Sequence, residues 1–334
     1  MCYNRNMKDR KRVLSGIQPT GRLHLGNLIG AVENWVKLQA EHECYFFIAD
    51  FHALTTAYAE TATLKEDIRQ VAIDLLSAGI APEKCVMFKQ SDVPEHAELH
   101  LLFSMITPLP WLERVPTYKS KIEELKEKDL GTYGFLGYPV LQAADILIYK
   151  ANLVPVGEDQ LPHLELTREI ARRFNYLYKE IFPEPKGALT AFPVLPGIDG
   201  RKMSKSYQNT IAISDPPETI RKKVSAMVTD PARVKREDAG HPEVCPVFAY
   251  YKVFAKDRTE TVARECRGAI RGCVECKKEL AQILIDYLAP IHAVRKELEK
   301  DTKILDRILT DGAQKARKVA SQTLLEAKKA IGLA

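Results

Sequence analysis

The chain has 334 residues, 46% of them hydrophobic and 28% charged, the balance of a folded globular protein. This excludes a disordered chain, a collagen-like repeat and a membrane bundle, and no run of about 18 apolar residues offers a transmembrane helix. The net charge of +5 is unevenly divided: residues 201–334 carry 27 Lys and Arg against 18 Asp and Glu, and residues 1–200 carry 22 against 26. A basic C-terminal part can attract a polyanion such as RNA. On charge alone, a solvated helical surface with surplus lysine is the simpler reading. The length suits two domains, at roughly 150 residues each. Met1–Arg12 is polar and basic and lacks the apolar stretch of a signal peptide, so a cytoplasmic protein is expected.

Val13–Gly16 reads as a short buried strand. It runs into the turn Gln18-Pro-Thr-Gly21 and then a helix from about Leu25 to Gln39. Cys44–Ala49 is a second strand, rich in aromatic residues. Leu64–Ala78 is an amphipathic helix with Ile68, Val71, Ala72 and Leu75 on one face. Cys85–Lys89 is a third strand. Strands alternating with helices predict a parallel sheet in an α/β domain. Residues 95–140, with a lysine/glutamate run (Lys119–Lys128) and a glycine-rich stretch (Gly131–Gly137), read as an insertion between two halves of a doubly wound sheet. Val140–Tyr149 and Leu153–Pro155 return to strand and helix character, and Leu161–Phe174 is a further helix. Proline and glycine at 183–200 mark a boundary. From Pro217 onward almost every segment reads as helix, ending in Ala313–Leu333. The expected architecture is a Rossmann-like α/β domain over 1–206, with an insertion at about 90–140, followed by an all-α domain over 207–334.

Two segments suit phosphate chemistry. In an open α/β sheet, ligands bind beyond the carboxyl ends of strands, at helix N-termini. The segment from Ser15 to Asn27 occupies that position. Gly16 and Gly21 permit a turn close to a ligand, Gly26 leaves room for a flat ring, and His24 and Asn27 add polar groups. Taken singly, each residue is as well explained by an ordinary turn. The second segment, Asp199-Gly-Arg-Lys-Met-Ser-Lys-Ser206, sets Lys202 and Lys205 three residues apart, with Ser204 and Ser206 as hydroxyl donors. Such a loop can close over a triphosphate and neutralise charge on the leaving group. An exposed basic linker is the plain alternative.

Seven cysteines without a secretion signal argue against a disulfide framework. Cys245, Cys266, Cys273 and Cys276 cluster with spacing C-x20-C-x6-C-x2-C, which suggests metal ligation. Buried small hydrophobes are the alternative. Arg264, Arg267, Arg271, Lys277 and Lys278 around them suit RNA phosphates.

Lys202-Met-Ser-Lys-Ser206 reproduces the KMSKS signature of class I aminoacyl-tRNA synthetases, and His24-Leu-Gly-Asn27 resembles their HIGH signature in its HxGN form. The two occur in the right order. The longer strings SGIQPTGRLHLGN and PVGEDQLPHLELTREIARRFN resemble the bacterial-type tryptophanyl-tRNA synthetases, with further matches at 44–56, 138–149 and 313–332. The resemblance implies tryptophan activation by ATP with Mg²⁺, then transfer of tryptophan to tRNA(Trp), in a homodimer that does not enter a membrane. It implies that Gln18, Pro19 and Thr20 contact ATP, that Gly26 and Asn27 hold its adenosine, and that Gly157, Glu158 and Asp159 contact the nucleotide from the second half of the sheet. Val194 would border the adenine. Lys202, Met203, Ser204, Lys205 and Ser206 would stabilise the triphosphate, with Lys119 a third cation and His24 a catalytic partner. Asp145 would accept the indole N–H, Tyr138 and Gln160 would take the ammonium group, and His52 would line the slot. Gln142 and Leu14 depart from the Met and Phe of many relatives near the indole. Some of these synthetases hold a [4Fe–4S] cluster on a very similar cysteine pattern, so the resemblance implies such a cluster on the four cysteines, with Zn²⁺ the alternative. The tyrosine enzyme shares fold and signatures but uses a tyrosine near the start of the first strand, where Val13-Leu14-Ser15 has none. A non-catalytic RNA-binding paralogue would not need intact Asn27, Lys202 and Lys205.

Overall fold

A computed structural model describes residues 10–116, 118, 130–189 and 195–334. Lys119, Val194 and the run Lys119–Lys128 lie outside the described residues. Five strands, β1 (Arg12–Ile17), β2 (Glu43–Ile48), β3 (Cys85–Lys89), β4 (Leu153–Val156) and β5 (Lys186–Leu189), form one sheet in the order β3-β2-β1-β4-β5. Every pairing is parallel, so the connections cross over the faces as helices. After β1 the chain passes through α1 (Leu25–Asn27), a π-helical stretch (Leu28–Val32) and α2 (Glu33–Glu41). α3 (Asp50–Ala57) and α4 (Leu64–Ser77) lead to β3. α5 (Glu95–Ser104), α6 (Leu109–Glu113) and α7 (Tyr133–Ile148) lead to β4, and α8 (Leu161–Leu177) leads to β5. The order of winding reverses between β1 and β4, and the carboxyl ends of these two strands open the crevice where such sheets bind ligands.

The side-chain alternation of the strands divides the core between two faces. In β2, Cys44, Phe46 and Ile48 join Val13, Trp35, Val71 and Leu75. Tyr45 and Phe47 face the other way, onto Leu14, Ala143, Ala144 and Leu147. Trp35 stacks on Phe46 with ring centroids 4.8 Å apart.

The glycine-rich stretch at 131–137 leads into helix: Thr132 caps α7 by accepting from the Phe135 amide at 3.2 Å, and the helix runs through Gly134 and Gly137. One expectation needs correction. The region at 183–200 contains strand β5. It is four residues long and only partly buried, so it lacks the alternating pattern that marks the inner strands.

α9 (Pro217–Ser225), α10 (Pro246–Phe254), α11 (Thr259–Arg267), α12 (Cys273–Leu298) and α13 (Thr302–Ile331) complete the described chain. α12 packs on α9, α10 and α4. α13 returns to the α/β body and covers the outer edge of the sheet at β3, which protects an otherwise open strand edge. Gly312 makes this contact possible, because a Cβ there would fall 1.7 Å from the Met87 carbonyl oxygen.

Candidate active site

The end of β1 leads into a cleft of about 750 Å³ lined by Gln18, Pro19, Thr20, His24, Asn27 and residues 202–205. Gly21 makes the turn with φ +102°. His24 caps α1: its Nδ1 accepts from the Asn27 amide at 3.2 Å, while its own amide donates to Asn27 Oδ1 at 3.1 Å. Burial, reinforced by nearby Lys205, pushes the His24 ring down to about 4. The neutral ring accepts at Nδ1 and therefore carries its proton on Nε2. Gly26 keeps this end open, since a Cβ there would meet the His24 ring at 2.9 Å.

The lysine loop closes over the same cleft. Met203 is buried and belongs to the core that includes Leu23, Leu25 and Ile211, whereas Lys202 is exposed. Buried Asn209 organises the loop: its Nδ2 donates to Asp199 Oδ1 (2.7 Å) and to the Lys202 carbonyl (3.0 Å), and its Oδ1 accepts from the Ser204 amide (2.8 Å). Gly197 is required there, because a Cβ would lie 2.2 Å from Asn209 Nδ2. Lys205 Nζ donates to the Gly21 carbonyl at 2.8 Å and to Thr20 Oγ1 at 3.4 Å. The two segments picked from sequence are thus joined by direct hydrogen bonds. Burial pushes the Lys205 ammonium down to about 8, against the pull of Asp74 and Asp67. Ser206 falls within the turn Lys205–Tyr207.

A second cleft of about 600 Å³ runs inward between β1 and β4. It shares Ile17, Gln18, Asn27 and Lys202 with the first. Its walls include Leu14, Trp35, Phe47, His52, Tyr138, Gln142, Gly157, Asp159 and Gln160. Gly16 admits the Phe47 ring, which stands 2.5 Å from where a Cβ would be. Asp145 lies at the bottom, 1% exposed. Its Oδ2 pairs with His52 Nε2 at 2.7 Å, its Oδ1 with His96 Nδ1 at 2.6 Å, and Gln90 Nε2 donates to both oxygens at 2.8 and 3.0 Å. The Tyr149 hydroxyl lies 2.8 Å from His96 Nε2. Burial alone would raise the Asp145 carboxyl. The hydrogen bonds from His52 and His96 outweigh it and hold the group below the ordinary carboxylate range. An ionised acceptor in an apolar slot selects a ligand that brings a donor.

Residues 6–289 match the family model described as tRNA synthetases class I (W and Y). The chain belongs to this family. It is 54% identical over 325 residues to the tryptophan–tRNA ligase of Thermotoga maritima, covering 96% of this chain and 99% of that one. It is 46% identical to the tryptophan–tRNA ligase of Aquifex aeolicus, with coverage of 96% and 100%. The crystal structure of the Campylobacter jejuni tryptophanyl-tRNA synthetase, complexed with ADP and tryptophan, superposes with a TM-score of 0.87 at 37% identity, covering 96% of this chain and 100% of that one. The parallel sheet with flanking helices is the class I synthetase fold.

Most of the site residues expected of such a synthetase gather at the two clefts. Glu158 does not line either one: it is exposed in the turn between β4 and α8, although its neighbours Gly157 and Asp159 face the inner cleft. Gln160 Nε2 donates to Asp159 Oδ2 at 2.9 Å. The Tyr138 hydroxyl lies 3.2 Å from His163 Nε2. Sequence reading missed Gln90, His96 and Asn209. Gln90 directly follows β3, at the carboxyl edge of the sheet, and that position was its available signal.

The four cysteines converge from three helix ends. Cys245 precedes α10, Cys266 lies in the last turn of α11, and Cys273 and Cys276 begin α12. Burial raises the Cys266 thiol, and Cys245 and Cys273 raise it further. Burial likewise pushes Cys276 up to about 11, with Cys245 and Cys266 adding to the effect. Gly240 packs against the Cys266 sulfur, which a Cβ would approach to 2.4 Å. Among the described residues, no group of three or more His, Cys, Asp or Glu is arranged to hold a metal ion. Nor, among the described residues, is any helix long and apolar enough to cross a membrane.

Proposed function

We infer that this chain is a tryptophan–tRNA ligase, which forms tryptophanyl-adenylate and pyrophosphate from tryptophan and ATP and then passes the tryptophan to the 3′ end of tRNA(Trp). The observation that carries the reading is the meeting of the two clefts at Gln18, Asn27 and Lys202, one floored by an ionised Asp145 and the other roofed by the lysine loop. ATP fits the outer cleft, with its adenosine at Gly26 and Asn27 and its phosphates between Thr20 and the loop. Tryptophan fits the inner slot, with its indole N–H on Asp145. Gln90 touches both carboxylate oxygens, so one of its two contacts can give way to the indole. Tyr138 and Gln160 face the substrate ammonium, and the substrate carboxylate points at the shared opening.

The carboxylate oxygen attacks the α-phosphorus, the bond to the bridging oxygen breaks, and pyrophosphate leaves with the electron pair. Lys202, Lys205 and the His24 Nε2–H offset the growing charge, and Ser204 contributes at the same loop. No protein nucleophile is needed, because such transfers are accelerated by positioning and charge stabilisation. The terminal ribose hydroxyl of tRNA then attacks the adenylate carbonyl and releases AMP. Mg²⁺ enters with the triphosphate and water rather than in a protein cage. Amino-acid-dependent ATP–pyrophosphate exchange across the twenty amino acids tests the reading. Dependence on tryptophan supports it, dependence on tyrosine favours the sister enzyme, and no exchange favours a non-catalytic RNA-binding protein.

Four further readings belong to this proposal. The α-helical region over 207–334 meets the anticodon side of the tRNA, through its part before α13, and the enzyme works in the cytoplasm with the rest of translation. The chain forms a homodimer through the apolar face of Leu101, Met105 and Leu109, which are 53%, 70% and 58% exposed. Cys245, Cys266, Cys273 and Cys276 hold a [4Fe–4S] cluster. The chemistry of the donors suits it, since thiols are soft ligands and neighbouring cysteines raise the proton affinity of Cys266 and Cys276, which a bound cation would relieve; binding would require the four side chains to turn toward one another. When bound, the cluster ties the ends of α10, α11 and α12 together. Anaerobic purification with visible absorption and iron and sulfide analysis tests it. A colourless protein with one zinc per chain would replace the cluster with the alternative ion.

A further inference from the structure

Asp74 sits on α4 with no exposure, and a carboxylate so placed requires partners. The amide of Leu23 donates to its Oδ2 at 2.8 Å. The guanidinium of Arg295, itself 5% exposed, pairs with its Oδ1 and also donates to the side-chain oxygen of Gln70. Burial pushes the Asp74 carboxyl up to about 6, with Arg295 the leading charge that opposes this. Leu23 immediately precedes His24, the cap of the helix that faces the nucleotide. Arg295 belongs to α12, the helix that begins at Cys273.

The same helix holds this backbone from a second side. His292 lies one turn before Arg295, and its Nε2 is 2.8 Å from the Ile213 carbonyl oxygen. The Ile213 amide in turn donates to the Leu23 carbonyl at 2.9 Å, and the Leu25 amide donates to the Ile211 carbonyl at 2.9 Å. Both polar groups of the Leu23 backbone are therefore committed to partners that α12 fixes. None of these contacts reaches the inner slot, whose floor is built from α3, α5 and α7 and from Gln90.

We propose that Arg295 and His292 on α12 are positioning residues for nucleotide binding, acting through Asp74 and Ile213 to hold the Leu23 backbone and so aim His24 at the phosphates. The proposal rests on the ligase reading for its substrate and makes ATP use depend on how a helix of the C-terminal region docks. Loss of the grip shifts His24 and the mouth of the outer cleft, and leaves the tryptophan slot unchanged.

The test compares wild type with Arg295→Gln, Arg295→Lys and His292→Ala as full chains. In tryptophan-dependent exchange, Arg295→Gln should raise the KM for ATP tenfold or more while the KM for tryptophan stays within twofold. Arg295→Lys should recover most of the loss, and His292→Ala should raise the KM for ATP two- to fivefold. Calorimetric titration of ATP alone should follow the same order. That titration needs no amino acid, so it judges the grip even if exchange proves to depend on another substrate. Equal losses for ATP and tryptophan would overturn the proposal, as would wild-type ATP parameters in a folded Arg295→Gln variant. If Arg295→Gln does not fold, the half-buried His292 decides: a folded His292→Ala protein with unchanged ATP affinity overturns the proposal.

Discussion

A carboxylate buried at the bottom of a cleft with two imidazoles and an amide around it has a narrow set of uses. Asp145 is held ionised by His52 and His96, so it can accept but not donate. Asp145→Ala removes that acceptor and leaves His52, His96 and Gln90 without it. The expected result is a rise in the KM for tryptophan of roughly 30- to 100-fold, the loss of one buried charge-assisted hydrogen bond, with ATP affinity nearly unchanged. Exchange kinetics with each substrate varied in turn will show it, and equal losses would count against the slot. Lys205 supplies a pH test. Burial is the leading influence on this ammonium and depresses it to about 8, so in the ATP-free protein it is charged below that pH and neutral above it. ATP affinity should therefore decline as the pH rises through 8. Lys205→Arg keeps its charge throughout this range, and its affinity profile should lose the alkaline decline. A limb of the same shape in both proteins would rule out Lys205 as its source.

At the scale of elements, the legible parts were those with a local cause. Short apolar runs marked β1 to β3, the second of them rich in aromatic residues, and the turn after β1 and the lysine loop, both picked out by their residues, meet at one cleft. The partners of these groups were not legible, because Gln90, His96, Asn209 and Arg295 reach their sites only through the fold. Asp74 and Arg295 are 221 residues apart, and no spacing rule links them. The return of α13 to β3 was hidden for the same reason. Its buried stripe of Gly312, Ala313, Ala316 and Ala320 reads locally as ordinary helix, and the approach of β3 is what requires residue 312 to be glycine. Gly312→Ala drives a methyl into the Met87 carbonyl and should cost about 2 kcal/mol or more, the scale of core overpacking. Gly134→Ala is the control: it lies in α7 with nothing within 4 Å of its would-be Cβ, and it should be neutral or slightly stabilising. Urea midpoints for the two variants separate these outcomes, and equal midpoints would show that α13 does not dock this tightly.

For the whole molecule, the uneven charge acquires a more specific meaning. Part of the C-terminal surplus is paired at the surface of the α/β body, where Arg317 and Lys328 of α13 meet Glu95 and Glu98 of α5. The surplus free to meet RNA therefore lies mainly before α13. The same α5 also carries the apolar face, since Leu101 lies one turn before Met105, where the helix ends, and Leu109 opens α6. Arg173 stacks over Trp111 at 5.7 Å and draws the end of α8, with exposed Tyr176 and Leu177, beside this face. Large apolar side chains left exposed on neighbouring elements suit burial between copies of the chain, and none of them lines either cleft. Met105→Glu with Leu109→Arg places charges in the middle of the face without touching a buried side chain. Light scattering after gel filtration should give wild type at twice 37.7 kDa and the double variant at the monomer mass, with its melting profile otherwise retained. A double variant that remains dimeric would move the interface elsewhere.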